Sequence, residues 1–311
     1  MAVTAALIKE LRGMTGVGMS DCKAALVETD GDLEKAVEVL RKKGMAKAEK
    51  KAGRVAAEGL SFAYITEDGK AAAAVEVNSE TDFVAKNEIF RTFVENVAKQ
   101  AVASDAADMD AFMSETWLED SSKTVKEALV EKVSVIGENL SIRRFKKYTA
   151  SDDSVFVSYL HAGGKVAVLL EFASDVKSDA LIEAGKNVCM QIAAMSPKFV
   201  CRDEVPADFI AKEREILTEQ AKADPKNAGK PENILEKMIE GRINKEMKEF
   251  CLVDQEYVKD DKMSVGKYVE SVAKEIGGKV SINSFVRFET GEGIEKKEED
   301  FAAEVAKAME G

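Results

Sequence analysis

Apolar side chains near the N-terminus recur at helical spacing in three short runs: Leu7, Ile8 and Leu11, then Cys22, Ala25 and Leu26, then Leu33, Val37 and Leu40. Thr4, Ser20 and Asp32 stand where N-caps belong, and Gly13 and Gly44 where the first and third helices are expected to stop. The pattern predicts a three-helix bundle, followed over Met45 to Arg54 by an alanine-rich basic stretch expected to be a solvated helical linker. The turn from Gly13 to Met19 is rich in glycine, but it follows no strand and lacks the Lys-Ser/Thr ending of a phosphate loop, which excludes nucleotide binding there. Its Val17 and Met19 are either staples between helices or a contact surface for another protein.

Beyond residue 55 the chain repeats itself. Tyr64, Gly69-Lys70 and Glu76 recur as Tyr159, Gly164-Lys165 and Glu171, an offset of 95, and each set predicts strand, glycine turn, strand. Asn96-Val97 and Gln100 recur as Asn187-Val188 and Gln191 at an offset of 91, on a helix both times. Val125, Ile136-Gly137, Ser141-Ile142 and Phe145 recur as Val265, Ile276-Gly277, Ser281-Ile282 and Phe285 at an offset of 140, over a helix, a glycine stop and a strand. The expected fold class is therefore α+β: the N-terminal bundle, then a duplicated core of two three-stranded antiparallel sheets, each covered on one face by helices. An inserted helical hairpin and a C-terminal helix complete it.

The expected boundaries are 1–54 for the bundle and linker, 55–150 for the first core subdomain, 151–196 with 251–290 for the second, 197–250 for the hairpin and 291–311 for the C-terminal module. In the hairpin, Ile210 and Leu217 on one arm are expected to meet Leu235, Met238, Arg242 and Met247 on the other; the stripe packs arm on arm or serves a homodimer. Phe301, Val305 and Ala308 or Met309 give the terminal helix one apolar stripe, which must dock on this chain or on a partner.

The offsets also locate what differs between the copies. The fall from 95 to 91 gives the first copy four more residues between its second strand and its helix, within the loop from Ser79 to Asn87. A fold that closes without them in one copy does not require them in the other. The loop holds Phe83-Val84 among acids, a poor place for a core and a good one for a contact. The alternative makes Asp82 an N-cap and folds Phe83 back as a staple on the next helix, whose Ile89, Phe90, Phe93, Val94 and Val97 share one face.

At 311 residues and 45% hydrophobic content the chain can bury two or more cores. The balance of 57 acids against 45 bases, a net charge of −12, argues against nonspecific binding along nucleic acid and favours a basic partner surface. Cys22, Cys189, Cys201 and Cys251 are widely spaced with no CxxC pair, as for buried thiols in a reducing compartment. Met1 to Glu10 lacks the charged and apolar regions of a secretory signal, and no apolar run is long enough to span a bilayer, so the expected location is cytoplasmic. His161 is the sole histidine, which excludes a two-histidine zinc site. With no GxSxG or phosphate loop, no catalytic, metal or cofactor site emerges, and the chain is expected to act through surfaces rather than as an enzyme.

Four stretches carry a resemblance: Thr15-Gly16-Val17-Gly18-Met19-Ser20-Asp21-Cys22-Lys23, Thr81-Asp82-Phe83-Val84-Ala85-Lys86-Asn87, Ile136-Gly137-Glu138-Asn139, and Gly291 to Lys296 leading into Asp300-Phe301-Ala302-Ala303-Glu304-Val305. Over nearly its full length the chain resembles the bacterial translation elongation factor Ts family. The resemblance implies a guanine-nucleotide exchange factor that binds elongation factor Tu, in GDP-bound and nucleotide-free forms, and accelerates GDP release, without direct contact to nucleic acid or membrane. It implies that Thr81, Asp82, Phe83 and Val84 intrude beside the partner's magnesium site. Further partner contacts are implied at Val17, Met19, Lys23, Ile136, Gly137 and His161, and at Phe301 and Val305 in the terminal helix. Ser20 and Ala24 stand where relatives often carry a second Met and a second Lys, and the hairpin departs in length. The rival reading is a non-catalytic adaptor acting through the N-terminal bundle, which resembles a ubiquitin-associated module.

Overall fold

Thr4 caps helix α1 (Ala5–Thr15) by accepting the Leu7 N–H, and the helix runs past Gly13 to a left-handed cap at Gly16. Helix α2 (Met19–Glu28) begins directly after Gly18 with no side-chain cap, so Ser20 lies inside its first turn rather than at its start. Asp32 caps α3 (Leu33–Lys51) as expected, accepting from the Lys35 N–H. These three helices close over Ile8, Leu11, Cys22, Ala25, Leu26, Ala36 and Leu40. The computed structural model describes residues 3–227 and 230–295.

The third helix does not stop at Gly44, and the stretch expected to be a solvated linker is its second half. Glycine inside a helix costs about 1 kcal/mol relative to alanine. Here it permits close approach, since a Cβ on Gly44 would stand 2.6 Å from Ser134 Oγ. Ala48, one turn on, packs against the first core.

The first core follows as β1 (Glu58–Ile65), β2 (Ala71–Ser79), the single turn α4 (Asp82–Ala85), α5 (Glu88–Ala103), α6 (Met109–Ser114), α7 (Val125–Ile136) and β3 (Leu140–Thr149). The second follows as β4 (Ser154–His161), β5 (Val166–Ser174), α8 (Asp179–Met195), the hairpin arms α9 (Ala207–Ala223) and α10 (Glu232–Phe250), a small ribbon of β6 (Glu256–Tyr257) and β7 (Asp260–Ser264), α11 (Val265–Ile276) and β8 (Val280–Glu289). Both main sheets are antiparallel with matching orders, β1-β2-β3 and β4-β5-β8. The duplication extends to irregularities, because the register slips between Glu76 and Val77 in one copy and between Glu171 and Phe172 in the other.

Each sheet buries one face against its own helices. On β2, Ala73, Val75 and Val77 meet Phe90, Phe93, Val94 and Val97 of α5, while on β5, Val168, Leu170 and Phe172 meet Leu181, Val188 and Ile192 of α8. Ile89 is the exception to the predicted face of α5 and stands 47% exposed. The opposite faces of the sheets pack on each other through Ala63, Ala72 and Ala74 from one and Phe156, Leu169 and Phe288 from the other. Hydrogen bonds join the two halves as well, from the Ser61 N–H to the Gly164 carbonyl at 2.7 Å and between the Ser61 and Thr290 hydroxyls at 2.9 Å.

The hairpin packs arm on arm, with Ile210, Leu217 and Met247 in the seam as expected but Ile239 and Ile243 at its centre. Leu217 and Ala221 meet Ile239, Ile243 and Met247, whereas Arg242 is exposed. Each step of four advances about 40° round the helix, so the buried stripe turns from Ile239 towards Met247 and leaves Leu235, Met238 and Arg242 at its margin. The ribbon of β6 and β7 and the short α6 had no distinct sequence signal.

Glu76 lies at 0% exposure in the middle of this architecture. The β-bulge brings two consecutive residues to it: Arg143 Nη1 donates at 3.0 Å and Arg144 Nε at 2.5 Å, joined by Asn78 Nδ2 at 3.0 Å and the Gly291 N–H at 2.8 Å. Burial by itself would raise this carboxyl's pKa, yet the Gly291 N–H, the Asn78 amide and the two guanidinium groups outweigh it and hold the group below its ordinary value. At the matching place the donors to Glu171 among the described residues are neutral, from Ser154, Asn283 and Ser284.

The two substitutions should separate in equilibrium urea unfolding. Glu76→Ala takes the buried carboxylate from two half-buried guanidinium groups and is expected to cost about 3–4 kcal/mol, towards the low end for a broken buried pair because the guanidinium groups keep solvent and other acceptors, whereas Glu171→Ala, which strands neutral donors, should cost about 1–3 kcal/mol. Because the folded Glu76 pKa is depressed, its contribution is present above the ordinary glutamate value of 4.5 and is lost as pH falls through the folded value, so the gap between the variants should narrow in acid.

Candidate functional site

Residues 80–87 join β2 to α5, while only 175–178 join β5 to α8. The surplus equals the length of α4, a single helical turn standing at the end of a central strand. Asn87 caps α5 through the Ile89 N–H, and Thr81 precedes α4 without side-chain capping, so Asp82 caps neither helix. Nor is Phe83 a staple. At 78% exposure it is the most exposed large apolar side chain among the described residues, while its neighbour Val84, at 7%, sits in the first core. Successive residues thus form a rooted finger with an aromatic tip, and Val84 anchors it from inside rather than offering a surface.

Asp82 Oδ2 pairs with Lys86 Nζ at 2.7 Å, one turn along. The Lys86 hydrogen bond holds the Asp82 carboxyl below its ordinary range, so it is ionised at neutral pH. The same ammonium lies 5.7 Å from the Phe83 ring centroid, within reach of its π face. The tip therefore presents an aromatic ring and a carboxylate side by side.

The root of the finger is tied to the end of α7. Glu138 accepts from the Thr81 N–H at 3.0 Å and from the Thr81 hydroxyl at 2.6 Å, and Glu80 accepts from the Asn139 N–H. Arg54 pairs with Glu80 at 3.4 Å and its carbonyl accepts from Asn139 Nδ2 at 2.8 Å, while Lys51 donates to the Gly137 carbonyl. Gly137 ends α7 at φ +89°, a left-handed cap in which a side chain would be strained. Ile136 is half-buried against the first core.

The first inter-helix turn reaches the same helix end, since a Cβ on Gly16 would lie 3.4 Å from Val135 Cγ2. Val17 is half-buried against the bundle and its carbonyl accepts from Cys22 Sγ; Met19 stands 37% exposed and Lys23 is exposed. The structure thus links the turn at Val17 and Met19, the Ile136-Gly137 cap and the finger through a chain of contacts. His161 is separate, the exposed last residue of β4 rather than part of the following turn, with Nδ1 3.2 Å from Tyr159 Oη. Phe301 and Val305 lie outside the described residues.

Arg54, Glu80, Glu138 and Asn139 were missed as parts of this site. Glu138 and Asn139 follow Ile136-Gly137 directly and could have been suspected, but nothing in one sequence pairs them with Glu80 and Thr81 nearly sixty positions earlier.

The family described as Elongation factor TS matches residues 80–292, from the root of the finger through β3 and the whole of the second sheet. The chain belongs to the elongation factor Ts family. Proteins named Elongation factor Ts from Clostridium botulinum (strain Eklund 17B / Type B) and Clostridioides difficile (strain 630) are 52% and 50% identical to it over 307 residues, and one from Clostridium kluyveri (strain ATCC 8527) is 50% identical over 309. Each comparison covers 99% of this chain and 99% of the relative. The elongation factor Ts match takes in the finger, the Ile136-Gly137 cap and His161, and the full-length relatives extend it to the N-terminal bundle.

Neighbouring residues of the finger should differ sharply in chemical denaturation. Phe83→Ala is expected to change stability by no more than about 0.5 kcal/mol, as at an exposed position, while Val84→Ala should cost about 1–3 kcal/mol for the cavity it leaves.

Proposed function

We propose that this protein is a guanine-nucleotide exchange factor that binds elongation factor Tu and speeds release of its GDP by prising at the partner's magnesium-held nucleotide site. The observation that carries the reading is Phe83, held 78% exposed at the tip of a turn that the duplicated scaffold does not need. Family membership supplies the partner. Its place of action on this reading is the cytoplasm, during translation elongation.

Exchange needs no bond to be made or broken. The factor binds the nucleotide-free partner more tightly than the GDP-bound form, and linkage then weakens GDP binding in the complex by the same factor. Lowering nucleotide affinity by about 10^4 requires roughly 5.5 kcal/mol of differential binding. One aromatic buried in a pocket contributes about 2–4 kcal/mol, so Phe83 carries a large share and the remainder falls to the surfaces around it. In the proposed mechanism Phe83 wedges into an apolar crevice of the partner while Asp82, ionised and lightly paired to Lys86, competes for the magnesium environment. Loss of the metal uncovers phosphate charge and weakens GDP. Val17 and Met19, Ile136 and Gly137, and His161 are assigned to docking, as are Phe301 and Val305.

Release of fluorescent GDP from elongation factor Tu, followed by stopped flow over a range of factor concentrations, tests this. The protein should accelerate release, and Phe83→Ala should lower the limiting rate by about 30-fold, the equivalent of 2 kcal/mol, with a smaller change in the half-saturating concentration. An unchanged limiting rate for Phe83→Ala would remove the wedge.

A further inference from the structure

We infer that Glu138 is the positioning residue of the finger: its carboxylate holds Thr81, and through it α4, so that Phe83 stays raised before a partner arrives. The inference rests on the exchange reading above. The internal duplication isolates it, because the second copy shows what the same scaffold does without a finger.

Three interactions fix the chain where it leaves β2. The Ser79 hydroxyl donates to the Thr81 carbonyl at 3.0 Å, Glu80 accepts from the Asn139 N–H, and Glu138 takes both donors of Thr81. The first two recur in the other copy at the repeat offsets. There the Ser174 hydroxyl donates to the Val176 carbonyl at 2.8 Å, and Asp175 Oδ1 accepts from the Lys279 N–H at 2.6 Å. These two belong to the scaffold. The third does not recur, because the position matching Glu138 is Gly278, where a Cβ would stand 2.5 Å from Val176 Cγ2. The glutamate is present in the copy that carries the finger and is sterically shut out of the copy that lacks it.

The need for such a brace is physical. A helical turn of four residues is too short to hold itself. An aromatic ring on an unbraced loop lowers its free energy by folding onto nearby apolar surface, and raising it again on docking would subtract from the binding energy available to the partner. With Ser79 on its carbonyl and Glu138 on its N–H and hydroxyl, every polar group of Thr81 is engaged. Val84 in the core and Thr81 on Glu138 thus hold the turn on either side of Phe83.

The test compares wild type, Glu138→Ala, Glu138→Gln and Thr81→Val in release of fluorescent GDP from elongation factor Tu, with and without Phe83→Ala in the same chain. Glu138→Ala should lower the limiting rate by about tenfold, the worth of charge-assisted hydrogen bonds, and move the half-saturating concentration by less than about twofold. Glu138→Gln, whose amide oxygen still accepts one donor, should fall between. Thr81→Val keeps the shape of the residue, removes only the hydroxyl and so guards against misfolding; it should also slow the limiting rate. In the Phe83→Ala background the loss of Glu138 should add less than about twofold, since both act through one ring. Wild-type limiting rates for Glu138→Ala and Thr81→Val, beside a slow Phe83→Ala, would overturn the inference and leave the finger standing, as would losses that multiply. A normal limiting rate for Phe83→Ala would remove the finger mechanism, and this inference with it.

Discussion

Two sheets packed back to back set the terms for the rest of the molecule. Their central strands, β2 and β5, are covered by helices on one side and by the other sheet on the opposite side, so neither has a solvent face. That is why Ala71 to Val77 reads as an apolar run, broken by Glu76 alone, rather than an alternation. Small side chains at Ala63, Ala72 and Ala74 let the sheets approach, with Phe156, Leu169 and Phe288 filling the space from the other side. A strand buried on both faces accepts no added residue within its length. Growth occurs outside the sheets, the finger where the chain leaves β2 and the hairpin further on, beyond α8.

The same packing explains the charged node at Glu76. A carboxylate on the inner face of a central strand must be met by donors or it would neutralise. In both copies a β-bulge doubles the residues opposite the glutamate, but one copy answers with Arg143 and Arg144 and the other with Asn283 and Ser284. Guanidinium groups have donors to spare. Arg143 reaches the Glu292 carbonyl and Arg144 the Glu289 carbonyl and the Glu292 carboxylate, so the first sheet grips the chain as it leaves the second. The pair of subdomains is thereby asymmetric at the point where the C-terminal segment departs.

Much of this was legible in the sequence because duplication writes the fold twice. The offsets of 95, 91 and 140 gave the order of strands and helices, both sheets and the place of each insertion, since a recurring glycine or glutamate at a fixed offset constrains local structure more tightly than propensity does. Where periodicity was read alone it faltered. Gly44 looked like a stop but marks close packing between α3 and α7, and the hairpin seam is centred on Ile239 and Ile243, with the expected Leu235, Met238 and Arg242 at its margin. Val84 shared the loop's exposed surroundings in the sequence yet turns inward, a matter of which way one helical turn faces and not of composition. The ties among Arg54, Glu80, Thr81, Glu138 and Asn139 are long-range and polar, and polar pairs leave no period behind them.

The tip of the finger combines restraint with availability. Lys86 keeps Asp82 ionised and lies near the Phe83 ring, yet all three side chains face solvent. An ion pair in that setting is screened and loosely held, so little is lost when it opens. The root is the opposite: Val84 is buried and Thr81 is bound on every polar atom, so movement there would disturb the core. In the proposed exchange, a rigid root beneath a lightly tethered charge directs the energy of docking outward, into the partner's metal site, instead of back into its own scaffold.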